Sequence, residues 1–358
     1  MKVVLLLGAG ATLADVATKP RKDRPPLDRR FFAEARLTDP ALADAVARYL
    51  RETYAINLFA PEHDRLEPIM GLIYTDIFNQ QLEAEALPVF RQLLQLFTRR
   101  LAATTNGIHP TNKRVVYRIV GHYLAAGVRP SDLTIITFNQ DIQVEKMLHH
   151  MSTVRRWEPL ADQIFAFPGL YRFADQKEVT SPTGAAQIFP RGGDPDNCIS
   201  LLKLHGSLNW YSSHSTRTPS RDAMFKASRK LRITSRRRIN TQMTQTGKQR
   251  RMYTLPIVVP PVTHKSAVLH ESMAGLWQRA ETCLTEADEL VVVGYSCPAL
   301  DFESSNQLRR SQVTREHPAN ISVVDPAPTV PERYISLLEA KCLHYYASAH
   351  AFLDALAR

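Results

Sequence analysis

The chain has 358 residues, 44% of them hydrophobic and 22% charged, which excludes an intrinsically disordered protein and allows one large domain with insertions, or two domains, around a sizeable core. Its net charge is +10, and ten Lys and Arg residues between Lys226 and Arg251, with no acid among them, equal the whole of that excess. The protein is thus a neutral body with one basic segment, and because no run approaches the roughly 18 apolar residues of a spanning helix, a soluble protein with no membrane partner is expected.

The first element is "KVVLLLGAGAT". A lysine, an apolar run and small residues make a crude leader pattern, but one charge and an apolar core of only five residues suit a buried strand better. Val and Leu without alternation suggest a parallel strand covered on both faces, followed at once by a Gly-rich turn. Helical spacing then dominates. "DPALADAVARYLRETYAIN" starts at Asp39-Pro40, and "EALPVFRQLLQLFTRRLAATT" and "KRVVYRIVGHYLAAGV" follow it. The apolar run "LTIITFNQD", residues 133–141, is the second strand, and "DIQVEKMLHHM" is the helix after it.

"LLKLHGS" is the next strand, and "PIVVPP" is a shorter one. The helix "SAVLHESMAGLWQRAETCLTEA" precedes "ADELVVVGYS", the clearest strand in the chain. "ANISVVDPAP" follows, and "CLHYYAS" adds a last strand. Strands alternating with helices predict an α/β fold: a Rossmann-like parallel sheet with helices on both faces and an inserted helical module. The expected organisation is a single domain over 1–358. It carries a helical insertion at 35–130, a smaller irregular cover at 155–200 and a basic loop insertion at 212–255. No repeat of fixed period is visible.

Ligands of such sheets bind outside the carboxyl ends of the strands, so the residues there are the candidates. Gly8, Ala9, Gly10 and Thr12 could let a pyrophosphate approach the backbone, although Leu13 stands where the third glycine of Gly-x-Gly-x-x-Gly would be. Asn139 and Asp141 follow the second strand, and either could simply cap the next helix. His205 ends an apolar run directly before Gly206. It is either a satisfied structural histidine or an imidazole delivered to a cleft, with the glycine keeping the backbone slim beside a ligand. Gly294 and Ser296 end the clearest strand. Asp325 ends the following one and could be a turn residue before Pro326.

The order Gly-Ala-Gly-x-Thr, "TFNQD", "KLHGS" and Gly-x-Ser resembles the sirtuin family in its broad sense, the silent-information-regulator-two-like NAD-consuming domains. The resemblance covers most of the chain, from Val3 to about Asp325. It implies NAD as substrate, with Gly8, Ala9, Gly10 and Thr12 over the pyrophosphate. Asn139 and Asp141 would face the nicotinamide ribose and carboxamide, and His205 would sit against the ribose hydroxyls as general base. Gly294 and Ser296 would lie on the adenosine half, with Asp325 on the adenine-ribose hydroxyls. A Pro-Asp-Phe-Arg element of the family is matched only approximately by "PPLDRRFF", which implies Asp28 and Phe31.

Cys198, Cys283, Cys297 and Cys342 form no Cys-x-x-Cys pair. That argues against the zinc ribbon of protein-deacylating sirtuins and against a disulfide framework, and it suits a reducing cytoplasm. No zinc or other metal is expected. The pattern is more similar to bacterial sirtuin-like effectors of anti-phage defence, which hydrolyse NAD. This resemblance implies an NAD glycohydrolase, gated by homo-oligomerisation or by a partner such as a HerA-type ATPase or an Argonaute. The alternatives are an NAD-dependent protein deacylase and a non-catalytic NAD- or ADP-ribose-binding module of a nucleic-acid-associated complex. The stretch from Lys226 to Arg251 is either a solvated loop or a surface for nucleic acid or an acidic partner.

Overall fold

A computed structural model describes residues 1–358 except 18, 21, 22, 26, 27, 29, 106, 173–191, 215–230, 234–241, 245–250, 260–270, 299, 300, 314, 316, 339–342 and 358. Six strands form one sheet: β1 Val3–Leu7, β2 Leu133–Thr137, β3 Ser200–Lys203, β8 Glu289–Val293, β9 Asn320–Val324 and β10 Leu343–Tyr346. All their pairings are parallel, in the order β10-β9-β8-β1-β2-β3. With the intervening antiparallel strands set aside, this is the doubly wound order 3-2-1-4-5-6, whose direction reverses between β1 and β8. Every residue of β1 and of β2 is buried. Since successive side chains point to opposite faces, the sheet is covered on both. The unalternated Val/Leu/Ile runs of the sequence have this cause.

The register matters for function. Leu7 pairs with Thr137 and with Val293, Thr137 with Lys203, and Val293 with Val324. The strands therefore end level. Whatever follows each of them meets at one edge of the sheet.

Among the described residues, six α-helices lie between β1 and β2: α1 Ala9–Ala14, α2 Phe31–Arg36, α3 Pro40–Tyr54, α4 Leu66–Asp76, α5 Glu83–Thr105 and α6 Val115–Ala125. Asp39 caps α3, accepting from the Leu42 N–H, with Pro40 in the first turn. The helices α2 to α5 enclose an apolar core of their own, including Phe31, Phe32, Leu50, Ile73, Phe90 and Phe97. The apolar face of α6, with Val116, Ile119, Val120 and Tyr123, packs instead in the core of the sheet. The stretch read as one helical insertion at 35–130 thus divides into a separate module and a crossover helix that covers the sheet.

Two corrections arise beyond β3. The stretch 212–255 was expected as a loop. Its described residues belong to a second, antiparallel sheet of β4 Gly206–His214, β5 Leu231–Ile233, β6 Gln242–Thr244 and β7 Arg251–Val258, in the order β5-β4-β7-β6. "PIVVPP" contributes to β7 there and not to the parallel sheet. The β4 segment "NWYSSH" shows no strict alternation, and the basic residues beyond it suggested a loop. Most of the basic segment, including Lys226, Arg236 and Lys248, lies outside the described residues. So do 173–191 of the expected irregular cover and Cys342. Among the described residues, no helix is long and apolar enough to cross a membrane.

Candidate functional site at the sheet edge

The β1 and β8 ends meet through backbone. The Gly8 N–H donates to Val293 O at 3.1 Å, and the Gly10 N–H donates to Gly294 O at 2.9 Å. A Cβ on Gly8 would lie 2.5 Å from Gly294 O, and one on Gly294 would lie 2.4 Å from Ala11 N. Gly294 also has φ +61°, which disfavours any side chain. These glycines are required by the contact of two turns. Gly8 and Gly10 direct their N–H groups at protein carbonyls, so the short helix that follows, α1 Ala9–Ala14, begins already tied to β8.

The β2 end is held through side chains. The Thr137 hydroxyl accepts from the Asn139 N–H at 3.0 Å, which turns the chain after the strand. The Asn139 Nδ2 donates to Gly8 O at 2.9 Å and to Thr12 Oγ1 at 3.2 Å. Thr12 Oγ1 in turn donates to Asp141 Oδ2 at 3.0 Å, and Asp141 Oδ1 accepts from the Gln143 N–H at 2.9 Å. Asp141 therefore binds the N-terminal turn of α7 Gln143–Ser152 and also holds the β1 turn. Asn139, Thr12 and Asp141 are all buried or nearly so. Asn139 and Thr12 line a crevice together with Asp15, His109, Arg114 and Gln143. Burial pushes the Asp15 carboxyl up from its ordinary value, against the pull of the Val115 N–H and of Arg114.

His205 follows β3. Its ring lies 4.9 Å from that of Phe138, which stacks on Tyr295 at 4.2 Å. Its Nε2 is 3.8 Å from Asp301 Oδ2. That carboxylate is fixed by the Tyr295 hydroxyl at 2.9 Å and by the Ser304 hydroxyl at 2.7 Å. Both His205 and Asp301 are buried, at 8% and 5% exposure. Burial, followed by the charge of Asp301, pushes the Tyr295 phenol well above its usual range, so it donates to the carboxylate as a neutral hydroxyl. Gly206 has φ +76°, and a Cβ there would lie 2.1 Å from Ile257 O. It keeps the backbone slim beside β7.

Of the other expected residues, Asp325 stands at the end of β9, buried, with Oδ1 accepting from the Ala327 N–H at 2.9 Å. Burial raises its carboxyl, with Ala327 and Arg333 pulling the other way. Ser296 presents its carbonyl to Arg333 Nη1 at 3.2 Å. The structure does not bring Asp28 and Phe31 to this edge through any bond or ring contact among the described residues. Asp28 accepts from Arg65 Nε and the Glu67 N–H, both at 2.8 Å, at the start of α4. Phe31 is buried against Phe32 and Phe97 in the helical module.

Sequence reasoning missed Asp301, Tyr295, Lys203 and Glu145 at this edge. In the sequence Asp301 falls in none of the motifs at the strand ends, and Lys203 only breaks an apolar run. Among the described residues, no group of three or more His, Cys, Asp or Glu side chains could hold a metal ion.

No protein-family model matches the chain. No curated protein matches it either. Among solved structures, two complexes of mutants of a Sir2 homologue with ADP-ribose match at 14% and 13% identity, with TM-scores of 0.43 and 0.44; each pairing covers 99% of this chain and 90% of the other. Sir2 with a p53 peptide and NAD+ matches at 10% identity and a TM-score of 0.38, covering 99% of this chain and 91% of the other.

Proposed function

We propose that this chain is an NAD glycohydrolase, which cleaves the nicotinamide–ribose bond of NAD to give nicotinamide and ADP-ribose. The observation that carries the reading is the level ending of the strands, which sets Thr12, Asn139, Asp141 and His205 on adjoining turns after β1, β2 and β3. The sirtuin-like order of those same motifs supports it.

The bond breaks through an oxocarbenium-like state, as in glycoside hydrolysis. Nicotinamide leaves well without a strong general acid. The protein must orient the ribose, stabilise positive charge and admit one water. In this reading Asn139 contacts a ribose hydroxyl or that water, and Asp141, held by Thr12 and Gln143, offsets the developing charge. His205 accepts the proton, with the Asp301 carboxylate beside it to orient the ring and stabilise the imidazolium. Gly8, Ala9, Gly10 and Thr12 bound the pyrophosphate region, with Gly294, Ser296 and Asp325 toward the adenosine.

An unrestrained NAD hydrolase would kill its own cell. The reading therefore includes a gate, either a homo-oligomer or a partner such as a HerA-type ATPase or an Argonaute, and a role in anti-phage defence. Nucleic acid held by the segment from Lys226 to Arg251 would be released steeply by salt. The test of the reaction is product analysis with purified protein and NAD, alone and with a co-expressed partner. Nicotinamide with ADP-ribose supports hydrolysis. Transfer of an acyl group from an acetyl-lysine peptide would replace it with deacylation. Binding without turnover in every condition would leave a binding module.

A further inference from the structure

A buried polar chain runs between the two motif turns, and the reaction proposed above makes no use of it. Lys203 Nζ donates to the backbone carbonyl of Asp141 and pairs with Glu145 Oε1 at 2.9 Å. The same carboxylate oxygen accepts from the Tyr171 hydroxyl at 2.9 Å. That hydroxyl accepts from Asn209 Nδ2 at 2.9 Å, and Asn209 Oδ1 accepts from the Ser207 hydroxyl at 2.6 Å. Asp141 is two residues beyond Asn139, and Ser207 is two residues beyond His205. The chain therefore begins at one motif turn and ends at the other. It passes through α7, β3, the short helical turn Gly169–Tyr171 and β4.

All five side chains are buried: Glu145, Lys203, Tyr171 and Ser207 at 0% exposure and Asn209 at 2%. Burying an ion pair strips two charges of water, and an apolar pair of similar volume commonly serves a fold as well or better. Glu145 Oε2 has no hydrogen-bond partner among the described residues, although buried acceptors are normally satisfied. Stability alone is therefore a weak account of the Lys203–Glu145 pair. Fixed geometry is what such a network does supply.

We propose that Lys203, Glu145, Tyr171, Asn209 and Ser207 form a brace that sets Asn139 relative to His205, with Lys203 as its principal positioning residue. The kinetic consequence rests on the NAD hydrolase reading; the structural consequence does not.

The test compares wild type with Lys203→Met/Glu145→Leu, which removes both charges at roughly constant volume and leaves neither one buried alone. Thermal melting, amide hydrogen exchange over residues 139–143 and NAD kinetics are measured on each. The brace predicts a melting temperature close to wild type, at least tenfold faster exchange at 139–143, and a kcat lowered about 100-fold with KM changed less than threefold. A folded double variant with wild-type exchange, or with kcat within threefold of wild type, overturns it. If wild type itself leaves NAD intact, the hydrolase reading fails and exchange alone judges the brace: faster exchange supports it, and unchanged exchange overturns it. Should the double variant not fold, Tyr171→Phe interrupts the chain with the ring in place. A roughly tenfold loss of kcat with faster exchange then supports the brace, and wild-type values for both overturn it.

Discussion

The two halves of the sheet's carboxyl edge are built on opposite principles. At β1 and β8 the turns meet backbone to backbone, through Gly8, Gly10 and Gly294, with N–H groups directed at protein carbonyls. After β2 and β3 the contacts are made by side chains: Asn139 and Asp141 bond Gly8 O and Thr12 across to the β1 end, and His205 faces Asp301. One half is closed by the absence of side chains and the other is held by their hydrogen bonds. A glycine at a strand end therefore does not by itself announce a ligand. Here it marks a neighbouring turn, while the buried polar side chains gather after β2 and β3.

This contrast predicts that mutations separate cleanly by half. The largest effect belongs to the side-chain half. Asn139→Ala or His205→Ala lowers kcat for NAD by at least about 1,000-fold, roughly 4 kcal/mol of transition-state stabilisation, with a melting temperature near wild type. Next comes the backbone half. Gly294→Ala forces a Cβ against Ala11 N at a positive φ, and it should lower stability by about 3 kcal/mol in denaturant unfolding. Asp301→Asn is smaller. It removes the carboxylate that orients the His205 ring, so kcat falls about 30-fold with KM changed little. A kcat within threefold of wild type would separate Asp301 from His205.

The smallest effect is at Asp325. Its carboxyl is held above its unfolded value by burial, so the folded state binds the proton more tightly than the unfolded state does. Its charge therefore destabilises the fold at neutral pH, and that penalty is relieved as pH falls through the folded pKa toward 3.8. Asp325→Asn should raise the melting temperature at pH 7 by up to about 2 °C, with the gain vanishing in acid. A gain that persists unchanged in acid would remove the titration as its cause.

The sheet was legible in the sequence because both-face burial writes itself as unbroken Val, Leu and Ile runs, as in Val3–Leu7 and Glu289–Val293. Asn139, Asp141 and His205 stood out in the sequence because polar groups at strand ends interrupt those runs, and the structure places them just after β2 and β3. The second sheet was not, since β4 to β7 mix basic and apolar residues, and nothing in one strand names its antiparallel partner. Asp301 belongs to none of the motifs read in the sequence, and Lys203 and Glu145 lie 58 residues apart, on β3 and α7, and meet only in the fold. Asp28 and Phe31 were read toward the site by resemblance. The structure uses their carboxylate and ring to seat α4 and to fill the core of the helical module.

The most direct test of the central claim is to incubate purified wild-type protein and His205→Ala with NAD, with and without a co-expressed partner, and to separate the products. The account predicts nicotinamide and ADP-ribose in equal amounts from wild type, and intact NAD with the variant. Equal NAD loss by both proteins would contradict the role of His205, and intact NAD with wild type in every condition would contradict the reaction itself.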